Sequence, residues 1–159
     1  MKARVTLRPL RPEDVTRAYE AWFREPEVKR WIAFAKRRST RRVLIDYIRE
    51  RHGNPDVMLW GIFVHGHHVG NIKAERPPLY RSKAVLGLMI GERRLRGMGV
   101  GPAAIRQAAR WCIRHWKVGL VVAGVHPFNT RSMRAFEKSV FQVANLDPPR
   151  VWLQLEKLK

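Results

Sequence analysis

Cysteine, acidic side chains and long apolar runs are all scarce in this chain. Cys112 is the only cysteine among 159 residues, which excludes an internal disulfide and a cysteine-based zinc site and favours a reducing compartment. No apolar run approaches the roughly 18 residues of a membrane span, and the first residues lack the apolar block of a signal peptide. We therefore expect a cytoplasmic protein that does not enter a membrane.

The shortage of acidic residues leaves a large positive charge. The chain has 13 Asp+Glu against 32 Lys+Arg, a formal net charge of +19. Such a charge indicates a nucleic-acid or ribosomal surface, or attraction of polyanionic small molecules such as nucleotides or coenzyme A. Genome composition explains it equally well, because the arginines occur in every segment. Charge alone therefore identifies no ligand.

The hydrophobic pattern predicts one α/β domain over residues 1–159. Hydrophobic residues make up 45% of the chain, enough for a core, and no repeat or linker divides it. Helical periods give way at residue 57 to three strand patterns, which are followed by a helix at 102–116, a buried strand at 120–125, a helix and two strands. We predict a mixed, mostly antiparallel sheet of about seven strands flanked by helices.

The most specific motif joins the third of those strands to the next helix. Residues 86–101 read LGLMIGERRLRGMGVG, and alternate glycines at 97, 99 and 101 allow sharp turns and close approach to a ligand. N–H groups gathered at a helix N-terminus bind anions. A Walker loop would need Gly-Lys-Ser/Thr at its end, and a dinucleotide loop would need glycine where Pro102 stands. The motif therefore predicts a pyrophosphate site of a third kind.

Two segments resemble the GNAT acetyltransferases. Residues 96–101, RGMGVG, are similar to their Arg/Gln-x-x-Gly-x-Gly/Ala loop, and residues 129–141, NTRSMRAFEKSVF, resemble their Asn-x-x-Ser signature. Residues 7–14 and 70–73 look like the branch of ribosomal-protein N-terminal and amino-sugar acetyltransferases. The resemblance covers the whole chain and implies the GNAT fold, acetyl-CoA as acyl donor, and direct attack of a primary amine on the thioester.

The resemblance also implies roles for individual residues. Backbone N–H groups of residues 96–101 would bind the pyrophosphate, with Arg93, Arg94 and Arg96 available to pair with phosphates. The backbone near the end of the strand that precedes the glycine loop would meet the pantetheine arm and polarise the thioester carbonyl. The implied acetyl-CoA contacts are Met89, Ile90, Arg96, Gly97, Met98, Gly99, Val100, Gly101, Asn129 and Phe136.

The catalytic groups are less completely matched. Phe136 stands where many members carry the tyrosine that protonates the departing thiolate, so the resemblance makes Ser132 the candidate acid. The glutamate expected before Gly87 is missing, which leaves Glu92 as the candidate base, with Glu75 as another. An α-amine, with a pKa near 8, needs less help from a base than a lysine near 10.4. An α-amine or an amino sugar is therefore favoured as acceptor.

The sequence thus predicts an acetyl-CoA-dependent N-acetyltransferase acting on a protein N-terminus or an amino sugar. An anionic or ribosome-associated acceptor agrees with the charge, and a homodimer is left open. The alternative, supported by the basic run at 36–42, is a non-catalytic GNAT-like nucleic-acid-binding or ribosome-associated module. His65, His67 and His68 lie in a tight hairpin without a neighbouring acid or cysteine, so we expect no metal site.

Overall fold

The computed structural model describes residues 4–147 and 150–156. The strands are β1 (Val5–Pro9), β2 (Val57–Val64), β3 (His67–Glu75), β4 (Lys83–Ile90), β5 (Leu120–Val125), β6 (Gln142–Asp147) and β7 (Arg150–Glu156). The helices are α1 (Arg17–Trp22), α2 (Pro26–Trp31), α3 (Arg41–His52), α4 (Val100–Trp111) and α5 (Thr130–Glu137), with shorter helical turns at Pro12–Asp14, Ala33–Lys36, Arg93–Leu95 and Cys112–Trp116.

Seven strands form one sheet in the order β1-β2-β3-β4-β5-β7-β6. Neighbouring strands are antiparallel except β4 and β5, which are parallel across the α4 crossover. The predicted mixed, mostly antiparallel sheet is therefore confirmed. Among the described residues, no helix has both the length and the apolar character needed to cross a bilayer.

Two helix boundaries differ from the prediction. An early proline followed by two acidic residues at 11–14 predicts the opening of the first helix. This segment forms the short turn Pro12–Asp14 instead, because Asp14 accepts the Arg11 N–H at 2.7 Å and pairs with the Arg8 guanidinium. Helix α1 begins later, after Thr16, whose side chain accepts the Tyr19 N–H. Helix α4 begins at Val100, two residues before the predicted start at Pro102.

Apolar side chains cover both faces of the sheet. On one face the core contains Ile105 and Ala108 of α4, Phe136 of α5 and Leu153 of β7. On the other face, helices α1 to α3 contribute a second cluster that also includes Met89 of β4. Strand β4 is therefore packed between two helical layers, and its position is fixed from both sides.

Strands β4 and β5 pair over only part of their length. Their register covers Lys83–Leu120, Ala84–Val121 and Val85–Val122. Beyond that point, in the part of the chain that the structure describes, β4 pairs only with β3, and β5 pairs only with β7. The two strands therefore separate at their carboxyl ends, which leaves residues 86–90 without a partner strand on the β5 side.

Candidate functional site

A cleft of about 440 Å³ opens where β4 and β5 separate. It is bounded by the end of β4, the glycine loop, helix α2 and helix α5, so it brings the two predicted motifs together. The lining residues are Glu27, Val28, Trp31, Ile32, Leu88, Met89, Ile90, Leu95, Arg96, Gly97, Gly99, Gly101, Pro102, Asn129, Arg131, Ser132, Arg134, Ala135 and Lys138.

The glycine loop presents free backbone donors at the start of α4. Gly97 and Gly99 have φ of +81° and +82°, a conformation that suits glycine. Within the described part of the chain, the N–H groups of Gly97, Gly99, Val100 and Gly101 have no acceptor. These donors and the N-terminus of a 12-residue helix fit a pyrophosphate.

Two of the predicted loop donors are already used within the loop itself. The Arg96 N–H donates to the Arg93 carbonyl, and the Met98 N–H donates to the Leu95 carbonyl, each at 3.2 Å. The Met98 side chain is 66% exposed and does not line the cleft. The turn at Met98 therefore orients the N–H groups of residues 97 and 99–101, but Met98 adds no hydrogen-bond donor of its own.

The Arg96 side chain has a structural role instead of the predicted pairing with phosphate. Its Nε donates to the Ile90 carbonyl at 2.9 Å, and one terminal nitrogen donates to the Gly91 carbonyl at 3.1 Å. The same guanidinium binds Glu25 at 3.1 Å and Glu27 at 2.9 Å, and the side chain is only 10% exposed. Arg96 therefore joins the loop, the end of β4 and α2, with all its charge neutralised.

Helix α5 supplies cations that sequence reasoning missed. Arg131, Arg134 and Lys138 recur at helical spacing and line the cleft together with Ser132. Arg93 and Arg94, which were predicted to be available, are exposed and lie outside the cleft lining. The recurrence of basic residues three and four positions apart within the second motif was the available signal for these side chains.

Asn129 and Ser132 lie together at the start of α5. The Asn129 Oδ1 accepts the Ser132 N–H at 3.2 Å and caps the helix. Both residues line the cleft. The Ser132 hydroxyl has no hydrogen-bond partner among the described residues, so it is available to donate a proton to a bound group.

Phe136 and Val100 face the core and not the cleft. Phe136 is 1% exposed and packs edge-on against Phe141 at 5.2 Å between ring centroids. It follows Ala135, which lines the cleft, and one residue of an α-helix rotates the side chain by about 100°. Packed in this way, Phe136 does not make the predicted contact with the cofactor. The Val100 side chain is also 1% exposed, which leaves its N–H as the group offered to a ligand.

Neither predicted base lies in the cleft. The Glu92 carboxylate accepts the Arg94 N–H at 3.4 Å at the start of a 3-10 turn and is absent from the cleft lining. Glu75 pairs in register with Val85, at the opposite end of the β3–β4 ladder from Ile90, and forms an ion pair with Lys73 at 3.0 Å. Sheet register separates Glu75 from the site.

His126, just after β5, is a neighbour of the cleft that sequence reasoning did not single out. Its ring lies 5.1 Å from that of Trp31, and its Nδ1 accepts the Phe128 N–H at 3.2 Å. A neutral imidazole that accepts at Nδ1 carries its proton on Nε2. In this arrangement His126 is a hydrogen-bond donor and does not offer a free lone pair to an amine.

A buried polar cluster supports the β3–β4 pair behind the cleft. Asn71 lies opposite Met89 and donates to the Tyr19 hydroxyl at 3.0 Å, while His68 Nε2 contacts Asn71 Oδ1 at 2.8 Å. His68 Nδ1 is buried without a partner among the described residues, and burial lowers the pKa of this imidazole. His68 thus has a packing role. No group of three or more potential metal ligands occurs in residues 4–147 and 150–156.

Comparison with known proteins agrees with this arrangement. The acetyltransferase (GNAT) domain model matches residues 4–142. Among solved structures, aminoglycoside acetyltransferase AAC(6')-Ib in complex with coenzyme A and kanamycin is 17% identical, with a TM-score of 0.81 over 97% of this chain and 95% of that chain. A probable acetyltransferase is 21% identical, with a TM-score of 0.83 over 96% and 93%.

A third solved structure has the same fold but a different named substrate. It is a chimera of spermidine N-acetyltransferase SpeG from Vibrio cholerae and hSSAT, 13% identical, with a TM-score of 0.77 over 97% of this chain and 96% of that chain. A comparison with curated protein sequences finds no match. At these identities the solved structures establish the fold.

Proposed function

The chain belongs to the GNAT acetyltransferase family, and we propose that it transfers the acetyl group of acetyl-CoA to the primary amine of a neutral or anionic acceptor. The free N–H groups of Gly97, Gly99, Val100 and Gly101 would hold the donor pyrophosphate. Arg134 and Lys138 lie on the same cleft wall and add positive charge near the phosphates. A reducing, cytoplasmic compartment remains part of this proposal.

The proposal about the acceptor rests on the ion pairs that the carboxylates in and beside the cleft form. Within residues 4–147 and 150–156, Glu27 is the only carboxylate that lines the cleft, and it is paired with both Arg96 and Arg131. Glu25, two residues earlier in the chain, is also paired with Arg96. Among the residues that the structure describes, no unpaired carboxylate therefore lines the path of an incoming acceptor.

A polycationic acceptor would meet net repulsion in such a cleft. Kanamycin and spermidine, named with two of the structural relatives, carry several ammonium groups, and the chain itself carries +19. A protein N-terminus, including one at a ribosome, or an amino sugar on an anionic carrier fits better. That the protein forms a homodimer remains a prediction from the sequence.

Catalysis in this proposal rests on positioning and on hydrogen bonding. Backbone N–H groups along the edge of residues 88–90 that has no partner strand orient the thioester and polarise its carbonyl. The neutral amine attacks that carbonyl carbon, and the C–S bond breaks as the tetrahedral state collapses. The Ser132 hydroxyl donates a proton to the departing thiolate, and the proton released by the amine passes through water to restore the serine hydroxyl.

Two measurements test the proposal. Calorimetry should show acetyl-CoA binding with a Kd below 1 mM, about −4 kcal/mol or better. Release of free thiol should then be followed with four acceptors: a peptide with a free N-terminus, a nucleotide-linked amino sugar, kanamycin and spermidine. Faster turnover of either polycation than of both other acceptors would contradict the proposed acceptor class, and no binding of acetyl-CoA would contradict the proposal as a whole.

A further inference from the structure

A second groove, of about 370 Å³, adjoins the cleft between α2 and the segment that joins β5 to α5. It shares Glu27, Trp31, Asn129 and Arg131 with the cleft, so the two spaces are continuous. Its volume is within the range of about 300–1,000 Å³ that small-molecule sites occupy. A molecule in the groove would therefore be in direct reach of the reacting groups.

The groove contains an exposed aromatic ring that is held in place. Phe128 is 75% exposed, although an apolar ring gains by burial. Its N–H donates to His126 Nδ1 at 3.2 Å, and the His126 ring lies 5.6 Å from Phe128 and 5.1 Å from Trp31. His126 thus connects the two walls of the groove and leaves the Phe128 ring available for stacking with a planar ligand.

Two guanidinium groups line the same groove. Arg30 lies on α2, with its guanidinium carbon 4.6 Å from the centroid of Trp31, and it forms no ion pair among the described residues. Arg131 lies on α5 and binds Glu27, whose other oxygen is bound by Arg96. Guanidinium groups match phosphate oxygens in geometry as well as in charge. The groove therefore combines an aromatic surface with one guanidinium that has no ion pair among the described residues, Arg30, and a second, Arg131, that shares the charge of Glu27 with Arg96.

The groove lies at the opposite end of α5 from the glycine loop. Ser139 Oγ donates to the Pro102 carbonyl at 3.2 Å, and Gly101 packs near Ala135, so the start of α4 contacts the C-terminal half of α5. The eight residues of α5 span about 12 Å. A donor whose phosphates lie at the glycine loop would leave the groove at the Asn129 end free for another molecule.

We propose that this groove binds the nucleoside phosphate portion of the acceptor, so that the acceptor is an amine carried on a nucleotide. This inference rests on the acetyltransferase function proposed above and specifies its substrate class. Phe128 would stack on the base, while Arg30 and Arg131 would bind the phosphates. The adenosine diphosphate portion of the donor has the same chemistry, and the experiment below separates the two sources.

Uridine 5′-diphosphate, which carries a base and phosphates but no amine to acetylate, is a suitable probe. The protein is first titrated with coenzyme A and then, once saturated, with uridine 5′-diphosphate in the calorimeter. We expect the second ligand to bind the coenzyme A complex at a separate site. Phe128→Ala and Arg30→Ala should each weaken that binding about tenfold, as expected when a stacking or charged contact is removed, without changing the affinity for coenzyme A.

Matched controls lie outside the groove. Tyr80 is an aromatic residue with 61% exposure, and Arg42 is an arginine whose side chain is 92% exposed. Tyr80→Ala and Arg42→Ala should leave the binding of both ligands unchanged.

Three results would overturn the inference while leaving the proposed function intact. They are absence of binding to the coenzyme A complex, displacement of coenzyme A by uridine 5′-diphosphate, and equal loss of binding in the control variants. Displacement would assign the groove to the donor nucleotide. Failure of coenzyme A itself to bind in the first titration would instead count against the proposed function.

Discussion

Replacing Val140 with glycine is expected to stabilise the fold. The Val140 N–H donates to the Glu137 carbonyl and the Phe141 N–H donates to the Phe136 carbonyl, which is the Schellman pattern that ends α5. The position in that pattern occupied by Val140 requires a left-handed backbone, and its φ is +70°. Glycine usually stands there, because a β-branched residue is strained in this region.

The magnitude follows from two opposing effects. Relief of left-handed strain contributes about 1–2 kcal/mol, and a β-branched side chain belongs at the upper end of that range. The extra flexibility of glycine in the unfolded chain costs about 0.5–1 kcal/mol. The Val140 side chain is 71% exposed, so little packing is lost. We expect a net gain of about 1 kcal/mol, equivalent to a Tm increase of about 2–4 °C for a chain of this length.

Urea and thermal unfolding followed by circular dichroism would measure this gain. Val140→Asn should stabilise as well, because asparagine tolerates the left-handed region. Val143→Gly, at a 49% exposed position in strand β6, is the control and should destabilise by about 1 kcal/mol. If Val140→Gly is no more stable than the wild type while Val143→Gly behaves as expected, then the strain argument is wrong.

Three further predictions concern the site and its support. Ser132→Ala should lower kcat at least tenfold with little change in the Kd of acetyl-CoA, as expected for loss of an acid; an unchanged kcat would remove the serine from the mechanism. Gly99→Ala should weaken acetyl-CoA binding about tenfold, because φ of +82° strains any other residue and displaces the loop donors, whereas Gly53→Ala, with φ of −87° and open space around it, should not. Burial lowers the pKa of His68, so the unfolded chain binds its proton first, and stability should fall as the pH decreases from about 6.5 toward the lower folded pKa. In His68→Gln, urea midpoints at pH 7.5 and 5.5 should differ less than in the wild type, and an equal difference would contradict this assignment.

The parts of the site that depend on the backbone could be predicted from the sequence. Gly97 and Gly99 adopt positive φ at the start of α4, as the alternate glycines indicate. Asn129 caps α5 and places Ser132 in the cleft, as the Asn-x-x-Ser motif indicates. Both are local features, determined by residues within a few positions of one another.

The parts that depend on distant partners could not. Arg96 looked free to bind phosphate, but its partners Glu25 and Glu27 lie 71 and 69 residues earlier in the chain. Glu75 looked like a candidate base until strand register placed it beside Val85. Local sequence does not determine either pairing, since the first arises when the start of α2 meets the glycine loop and the second depends on the register between β3 and β4.

The same distinction explains why the family identifies the donor more readily than the acceptor. A pyrophosphate is held by N–H groups, which every residue but proline has, so a loop of the right shape suffices whatever its side chains are. Acceptor preference depends on which charges remain unpaired, and here Arg96 pairs with both Glu25 and Glu27, while Arg131 supplies a second positive charge to Glu27. If Arg96 were replaced by a neutral residue, Glu25 would lose its ion-pair partner among the described residues, and Glu27 would keep only Arg131. Arg96→Gln should therefore shift turnover toward kanamycin and spermidine relative to an anionic acceptor, and an unchanged ratio would show that the cleft carboxylates do not determine acceptor charge.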